Sequence, residues 1–247
     1  MVKYKVGVMK MNEKKELRNY NRRYAKEYNF WRSAWYMTFL YFVALPFFTI
    51  FYDYKITGKE NLPKYSEKEK YIYTANHVSI FDPFFVPFAT RRLMAFMAKK
   101  ELFDPSEKFS KLIISLGAFS VDRSKPEIAT FKTVKDIFTT KWALAVFPQG
   151  GTRPYGKLED IKRGFVAIAK NAKANIIPVA IGDFSGYPQL KPFKKQTVRL
   201  HICEPISYKL PVDEIIYRWC EEISAHAGYE NCCPKPENFK ETAPVAG

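Results

Sequence analysis

The sequence is poor in the residues that build stapled or densely reactive proteins: four cysteines, three histidines and eleven glycines in 247 residues. Four Cys in a chain this long make no disulfide framework. Cys232 and Cys233 are adjacent and no C-x-x-C occurs, which favours a reducing compartment. The low Gly count, with sixteen Pro, excludes collagen-like and low-complexity sequence, and the 47 % hydrophobic content excludes disorder. Acidic residues are also scarce, 25 Asp plus Glu against 40 Lys plus Arg, so the formal charge is +15. The partner should therefore be anionic, and nucleic acid, a phosphorylated metabolite and an acidic membrane surface all qualify.

Several catalytic signatures are missing as well. There is no G-x-S-x-G elbow, since Gly182-Asp183-Phe184-Ser185-Gly186 has the wrong spacing. Gly151 to Lys157 reads G-x-x-x-x-G-K, but Leu158 stands where Ser or Thr should hold Mg²⁺, and Pro154 interrupts the string of N–H donors. Cys220, His226, Cys232 and Cys233 match no common zinc spacing.

What is present is unevenly placed. Residues 1–32 carry ten Lys or Arg and three Glu, and residues 28–54 hold thirteen aromatics. From Ser33 to Tyr52 there are twenty residues without a charge, enough to cross a bilayer. The run starts too late for a cleavable signal peptide. Upstream, Leu17, Tyr20, Tyr24 and Tyr28 fall on one stripe at 100° per residue, with Arg18, Arg22, Arg23 and Lys26 elsewhere on the wheel. A tyrosine stripe opposite a basic face suits a helix in the headgroup layer; packing of that stripe on the main domain is the plainer alternative. Lysines flank the uncharged run on both sides and Pro46 interrupts it, so a two-helix element buried in one leaflet is preferred to a single span.

From about residue 70 the pattern alternates. Short β-rich runs at 71–75, 118–121, 142–147, 176–181 and 197–202 are interleaved with helical stretches near 84–90, 106–116, 126–140, 161–173 and 212–226. That predicts an α/β fold with a mainly parallel sheet flanked by helices. The expected organisation is a membrane-binding element over 1–54, an α/β domain over 55–229 and a loosely held tail over 230–247.

Asn76-His77-Val78-Ser79-Ile80-Phe81-Asp82-Pro83 follows a predicted strand. An imidazole within reach of a carboxylate is a general-base unit, because the carboxylate fixes the tautomer and stabilises the imidazolium. Five residues on one continuous helix would point the two side chains 140° apart, so His77 must sit on the turn and Asp82 at the helix start. By spacing alone a plain N-cap before a proline reads better than a catalytic pair. A second cluster, Phe147-Pro148-Gln149-Gly150-Gly151-Thr152-Arg153, could cradle a phosphate through backbone N–H groups and a guanidinium. A third stretch runs from Gly117 to Asp122-Arg123.

Together these residues resemble the glycerolipid acyltransferase family, in particular its 1-acylglycerol-3-phosphate acyltransferases. Asn76, His77, Ser79 and Asp82 meet the family's N-H-x-S-x-x-D motif; Gly117 through Asp122 and Arg123 meet its second. Phe147–Arg153 matches the F-P-E-G-T-R motif with one extra residue, Gln149 and Gly150 standing where Glu is expected. Ile177-Pro178-Val179-Ala180-Ile181 matches the fourth. The resemblance implies transfer of an acyl group from CoA or acyl carrier protein to the sn-2 hydroxyl of lysophosphatidate, giving phosphatidate. His77 would be the base and Asp82 its orienting partner. Arg123 and Arg153 would hold the phosphate, Gly151 and Thr152 would shape the loop beside it, and Lys100 would be a further phosphate contact. No metal or bound cofactor is implied. The implied partner is an anionic membrane and not nucleic acid, with the enzyme monotopic on the cytoplasmic side of the cell membrane. Two alternatives stay open at this point: a sister acceptor, glycerol 3-phosphate or another lysophospholipid, and, from charge alone, a basic nucleic-acid-binding protein.

Overall fold

The computed structural model describes residues 20–64, 70–103, 106–122, 127–182, 195–237 and 239. Its strands, in chain order, are β1 Tyr52–Thr57, β2 Lys70–Ala75, β3 Met94–Lys99, β4 Phe119–Val121, β5 Ala143–Val146, β6 Lys157–Leu158, β7 Ala174–Gly182, β8 Gln196–Ile202 and β9 Glu230–Asn231. Seven of them form one sheet in the order β1-β8-β7-β2-β5-β3-β4. Only β8 runs antiparallel to its neighbour β7; β1 follows β8 in parallel, and every other pairing is parallel. The expected mainly parallel α/β sheet is present. The central strands are buried on both faces, which is why β7 reads as a nearly unbroken apolar run.

The covering helices are α3 Asp82–Thr90, α4 Glu107–Ser115, α5 Ile128–Ile137, α6 Gly164–Ala172 and α7 Val212–Ala227. They follow α1 Phe30–Thr38, a π-helical stretch Phe39–Ala44 and α2 Leu45–Phe51. All five parallel strands at the centre end on the same side of the sheet, the side on which an open α/β fold places its ligands. The small β6–β9 pair ties the chain after the 147–153 loop to the segment that follows α7.

Two N-terminal expectations change. The uncharged run forms one continuous helical stretch, Phe30–Phe51, of 22 residues, and not two helices separated at Pro46. The π-helical turns just before Pro46 shift the hydrogen-bond register, so a residue without an N–H is accommodated without ending the helix. Tyr36, Leu40, Ala44 and Phe48, spaced by four, turn into the core, whereas Phe30, Trp31, Phe42, Val43 and Ile50 face outward.

The amphipathic helix expected over 17–28 does not extend through 21–28, which holds only a short 3-10 turn, Ala25–Glu27; Tyr20 is helical, and residues 17–19 lie outside the described residues. Around Asn21–Arg23 the backbone bonds to α5. Arg23 N donates to Thr133 Oγ1 (2.9 Å), the Thr133 hydroxyl donates to Asn21 O (3.1 Å), and Arg22 pairs with Asp136 (2.6 Å). Tyr28 is buried edge-on against Trp142, with ring centroids 5.2 Å apart.

β1 crosses the 54/55 boundary expected between the first two segments, since Tyr52–Thr57 is one strand paired along its whole length with β8. The cysteine reading also needs correction: Cys220 of α7 is disulfide-bonded to Cys233, leaving Cys203 and Cys232 as free thiols. The sequence reading weighed cysteine number and spacing, whereas the fold turns the chain after α7 back alongside that helix.

Candidate active site

The turn between β2 and α3 is organised by a single oxygen. Asp82 Oδ2 accepts hydrogen bonds from Val78 N (2.7 Å) and Ser79 N (2.9 Å), and it lies 2.7 Å from His77 Nδ1. With Asp82 ionised, Oδ2 accepts all three bonds, an arrangement in which Nδ1 carries the proton toward it and Nε2 keeps its lone pair. The Asp-Pro helix start explains the local fold: Pro83 needs no N–H in the first turn, and the Asp82 side chain folds back to satisfy the amides ahead of it. Asp82 is thus the first residue of the helix and not the N-cap that spacing suggested, a place taken by Phe81 with no side-chain cap bond; its carboxylate serves the preceding turn and His77 instead.

Asp82 is fully buried, whereas the His77 side chain keeps 15 % of its surface exposed. Burial raises the Asp82 carboxyl above the usual carboxylate range, against the opposing pull of the bonds from His77, Ser79 and Val78. Asp82 Oδ1 is buried with no hydrogen-bond partner among the described residues. The His77 ring lies flat on Phe147, with centroids 4.1 Å apart and planes at 20°. Flanking bonds fix the turn to the sheet. Asn76 Oδ1 accepts from Ile181 N (2.8 Å), while its amide donates to Ile181 O (2.8 Å) and to Tyr229 Oη (3.2 Å).

The second cluster closes over the first. Gly150 N donates to Phe147 O (3.0 Å), making a tight turn after β5 in which Gly150 takes φ 73°. That places Gln149, 1 % exposed, beneath the turn, where its Oε1 accepts from His77 N (2.7 Å). Arg153 N donates to His77 O (2.8 Å), so the two loops are bonded directly. The Arg153 side chain is exposed and has no ion pair among the described residues. Gly150, and not Gly151, is the glycine that the turn requires: a Cβ on Gly151 would meet nothing within 4 Å. Thr152 is exposed beside it, and Lys100, half-buried, opens the short turn after β3 at the same end of the sheet.

Arg123 lies outside the described residues. Gly117, at the start of that motif, has φ 88°, and the Trp142 ring would sit 2.4 Å from a Cβ placed there, so no side chain fits. An apolar cavity of about 350 Å³ runs behind Phe147, lined by Met97, Val121, Phe131, Phe165 and Ile168 among others. Reasoning from sequence missed what Gln149, Asn76 and Phe147 do. The motif positions were visible, but a side-chain bond to a distant backbone atom has no sequence spacing.

A base held by a buried carboxylate, beside an exposed guanidinium and an apolar cavity, is suited to deprotonating a hydroxyl on a molecule with an anionic end and a hydrocarbon part. The acyltransferase family model matches residues 53–182, and the chain belongs to that family. Among its relatives are proteins named 1-acyl-sn-glycerol-3-phosphate acyltransferase. The one from Bacillus subtilis is 32 % identical over 159 residues, covering 62 % of this chain and 73 % of the relative. The one from Streptococcus pneumoniae is 36 % identical over 116 residues, or 46 % of this chain, and the match spans only 42 % of that relative's length. The fold is that of the Thermotoga maritima 1-acyl-sn-glycerophosphate acyltransferase: TM-score 0.56, 24 % identity, covering 78 % of this chain and 81 % of that one.

Proposed function

We propose that the protein moves an acyl group from an acyl thioester, carried by CoA or acyl carrier protein, to the sn-2 hydroxyl of lysophosphatidate, giving phosphatidate. The observation that carries this reading is the 2.7 Å contact between His77 Nδ1 and a fully buried Asp82, beside a loop bonded to the His77 carbonyl. His77 Nε2 takes the proton of the acceptor hydroxyl as its oxygen attacks the thioester carbonyl, forming the C–O bond. The tetrahedral intermediate then expels the thiolate, the C–S bond breaks, and the imidazolium returns the proton to sulfur. Asp82 holds the ring and stabilises the cation that forms. A thioester needs no covalent enzyme nucleophile, in keeping with the missing serine elbow.

The intermediate's oxyanion needs N–H donors. Those at the start of α3 are committed, Asp82 N to Ser79 O and Phe84 N to Phe81 O. The Gly151 and Thr152 amides are assigned this role in preference. Arg153, Arg123 and Lys100 bind the phosphate, and the cavity behind Phe147, within the usual volume range of ligand pockets, takes the acyl chain. The outward apolar residues of Phe30–Phe51 rest in the cytoplasmic leaflet of the cell membrane, with the +15 charge drawn to anionic lipid.

The test is thiol release by the purified full chain with lysophosphatidate and acyl-CoA or acyl carrier protein, with products identified by mass spectrometry from a mixed acceptor pool. Phosphatidate is the expected product. A different acylated acceptor would reassign the substrate, and full turnover by His77→Ala would refute the mechanism.

A further inference from the structure

His201 is the last but one residue of β8 and Cys203 follows it by two residues, so their side chains stand on the same face of the sheet. Glu222 and His226 lie one turn apart on α7, the helix over that face. The strand and the helix bring these pairs together. The ligand atoms of His201, Cys203 and His226 all lie within 4.8 Å of one another. The two imidazole rings are nearly parallel, with centroids 3.6 Å apart. Glu222 Oε2 is 3.7 Å from His226 Nε2, and the Cys203 thiol donates to His201 O (3.9 Å). Thr57 Oγ1 holds His201 Nδ1 at 2.8 Å, which leaves Nε2 as the free nitrogen.

We infer that His201, Cys203, Glu222 and His226 form a binding site for one divalent transition-metal ion of the zinc type. Two imidazoles, one thiolate and one carboxylate make a four-ligand set of the borderline-soft kind that zinc takes. With bonds of roughly 2.0–2.3 Å, tetrahedral ligand atoms sit roughly 3.3–3.7 Å apart and the ion lies in the plane of each imidazole, so closure needs the stacked His201 and His226 rings to rotate out of parallel and Glu222 to swing in. The threonine bond to the far nitrogen of His201 is the orienting contact that ligating histidines characteristically make. Cys203 is buried, His201 is half-buried and His226 is exposed, which provides both a dry interior side and a path of entry. On binding, the Cys203 thiol gives its proton to solvent and ligates as thiolate.

The fold prepares the approach through Gly182. A Cβ there would lie 3.1 Å from Ala227 Cα and 3.4 Å from His226 O, so only glycine lets the end of α7 come this close to the sheet. The ion would fasten that helix end to β8. β7 separates β8 from β2, the strand that leads into the His77 turn, so the site is structural and takes no part in acyl transfer.

The experiment uses the full chain, stripped with chelator, with Cys232→Ser as background so that the exposed thiol does not compete. Cobalt is titrated in and followed by its thiolate charge-transfer absorption. One equivalent per chain with that band, displaced by zinc, is the expected result. Cys203→Ser should lose the band, and His226→Ala should weaken cobalt binding by more than about tenfold. No cobalt uptake by the parent, a band that persists in Cys203→Ser, or unweakened binding by His226→Ala would each overturn the assignment. Should Cys203→Ser fail to fold, Glu222→Gln and His226→Ala decide the matter, both being changes on the accessible side of α7.

Discussion

The helix that precedes the 53–182 family match and the turn at His77 inside it face opposite problems. The helix Phe30–Phe51, just ahead of it, exposes large apolar side chains, with Phe30 74 % and Phe42 79 % accessible. The turn at His77 does the reverse, burying polar groups and satisfying nearly all of them: Asn76, Ser79, Asp82 and Gln149 are each at most 2 % exposed. Apolar surface left in water costs in proportion to its area and needs only a nonpolar partner. A buried polar group costs more per atom and needs a particular partner in a particular direction. The first region can slide along whatever covers it. The second has one arrangement, which is what positioning a base requires.

Asp82→Asn tests that contrast most severely. Turnover should fall about 10⁴-fold, because the amide can support the wrong His77 tautomer, as measured by thiol release. Stability should move the other way. The folded Asp82 carboxyl is raised by burial, so the native state binds that proton more tightly than the unfolded chain does. Its contribution is then most favourable below the unfolded value of about 3.9 and is lost as pH rises through the higher folded value. At pH 7 the neutral amide should melt no lower than wild type, and the advantage should vanish in acid. A variant both inactive and much less stable at pH 7 would show that the carboxylate holds the fold as well as the base.

Within the helix, the inward and outward faces should separate. Phe48→Ala, on the buried stripe against Phe81, Phe84 and Phe85, should cost about 3–5 kcal/mol and lower Tm by about 2–4 °C for each of those kcal/mol. Phe30→Ser and Phe42→Ser, on the outward face, should leave Tm unchanged. Each should instead lose about 1.5–3 kcal/mol of vesicle binding, roughly ten- to a hundredfold by flotation with anionic liposomes. Equal partitioning of wild type and both variants would remove the leaflet assignment. The smallest effect is expected of Gln149→Ala, which leaves the His77 amide without its acceptor and should cost about 1–3 kcal/mol, read from a denaturant midpoint.

How much of this was legible follows the same physics. Strands such as β7, buried on both sides, announced themselves as apolar runs. β1, Tyr-Asp-Tyr-Lys-Ile-Thr, was hidden behind the aromatic run before it, and β3, Met-Ala-Phe-Met-Ala-Lys, lacks the branched residues that mark a strand. Of the site, the His77 and Asp82 pair was readable because both ends of that bond lie on one turn. Gln149 under His77, 72 residues away, was not, nor was the meeting of His201 with His226, since each depends on which strands become neighbours. The expected helix does not continue through 21–28 for a related reason. Periodicity offered a face but not the threonine and aspartate of α5 that took its backbone and arginines instead.

The hydrogen bond from Asn76 to Tyr229 joins residues 153 apart in the chain, and Tyr155 Oη, just after the 147–153 loop, adds another to Ala227 O. During synthesis, then, the turn that carries His77 leaves the ribosome long before the tyrosine that steadies it. A nascent chain can assemble the parallel sheet and still lack a finished site until the segment after α7 emerges. Catalytic competence would arrive last, in time as well as in sequence.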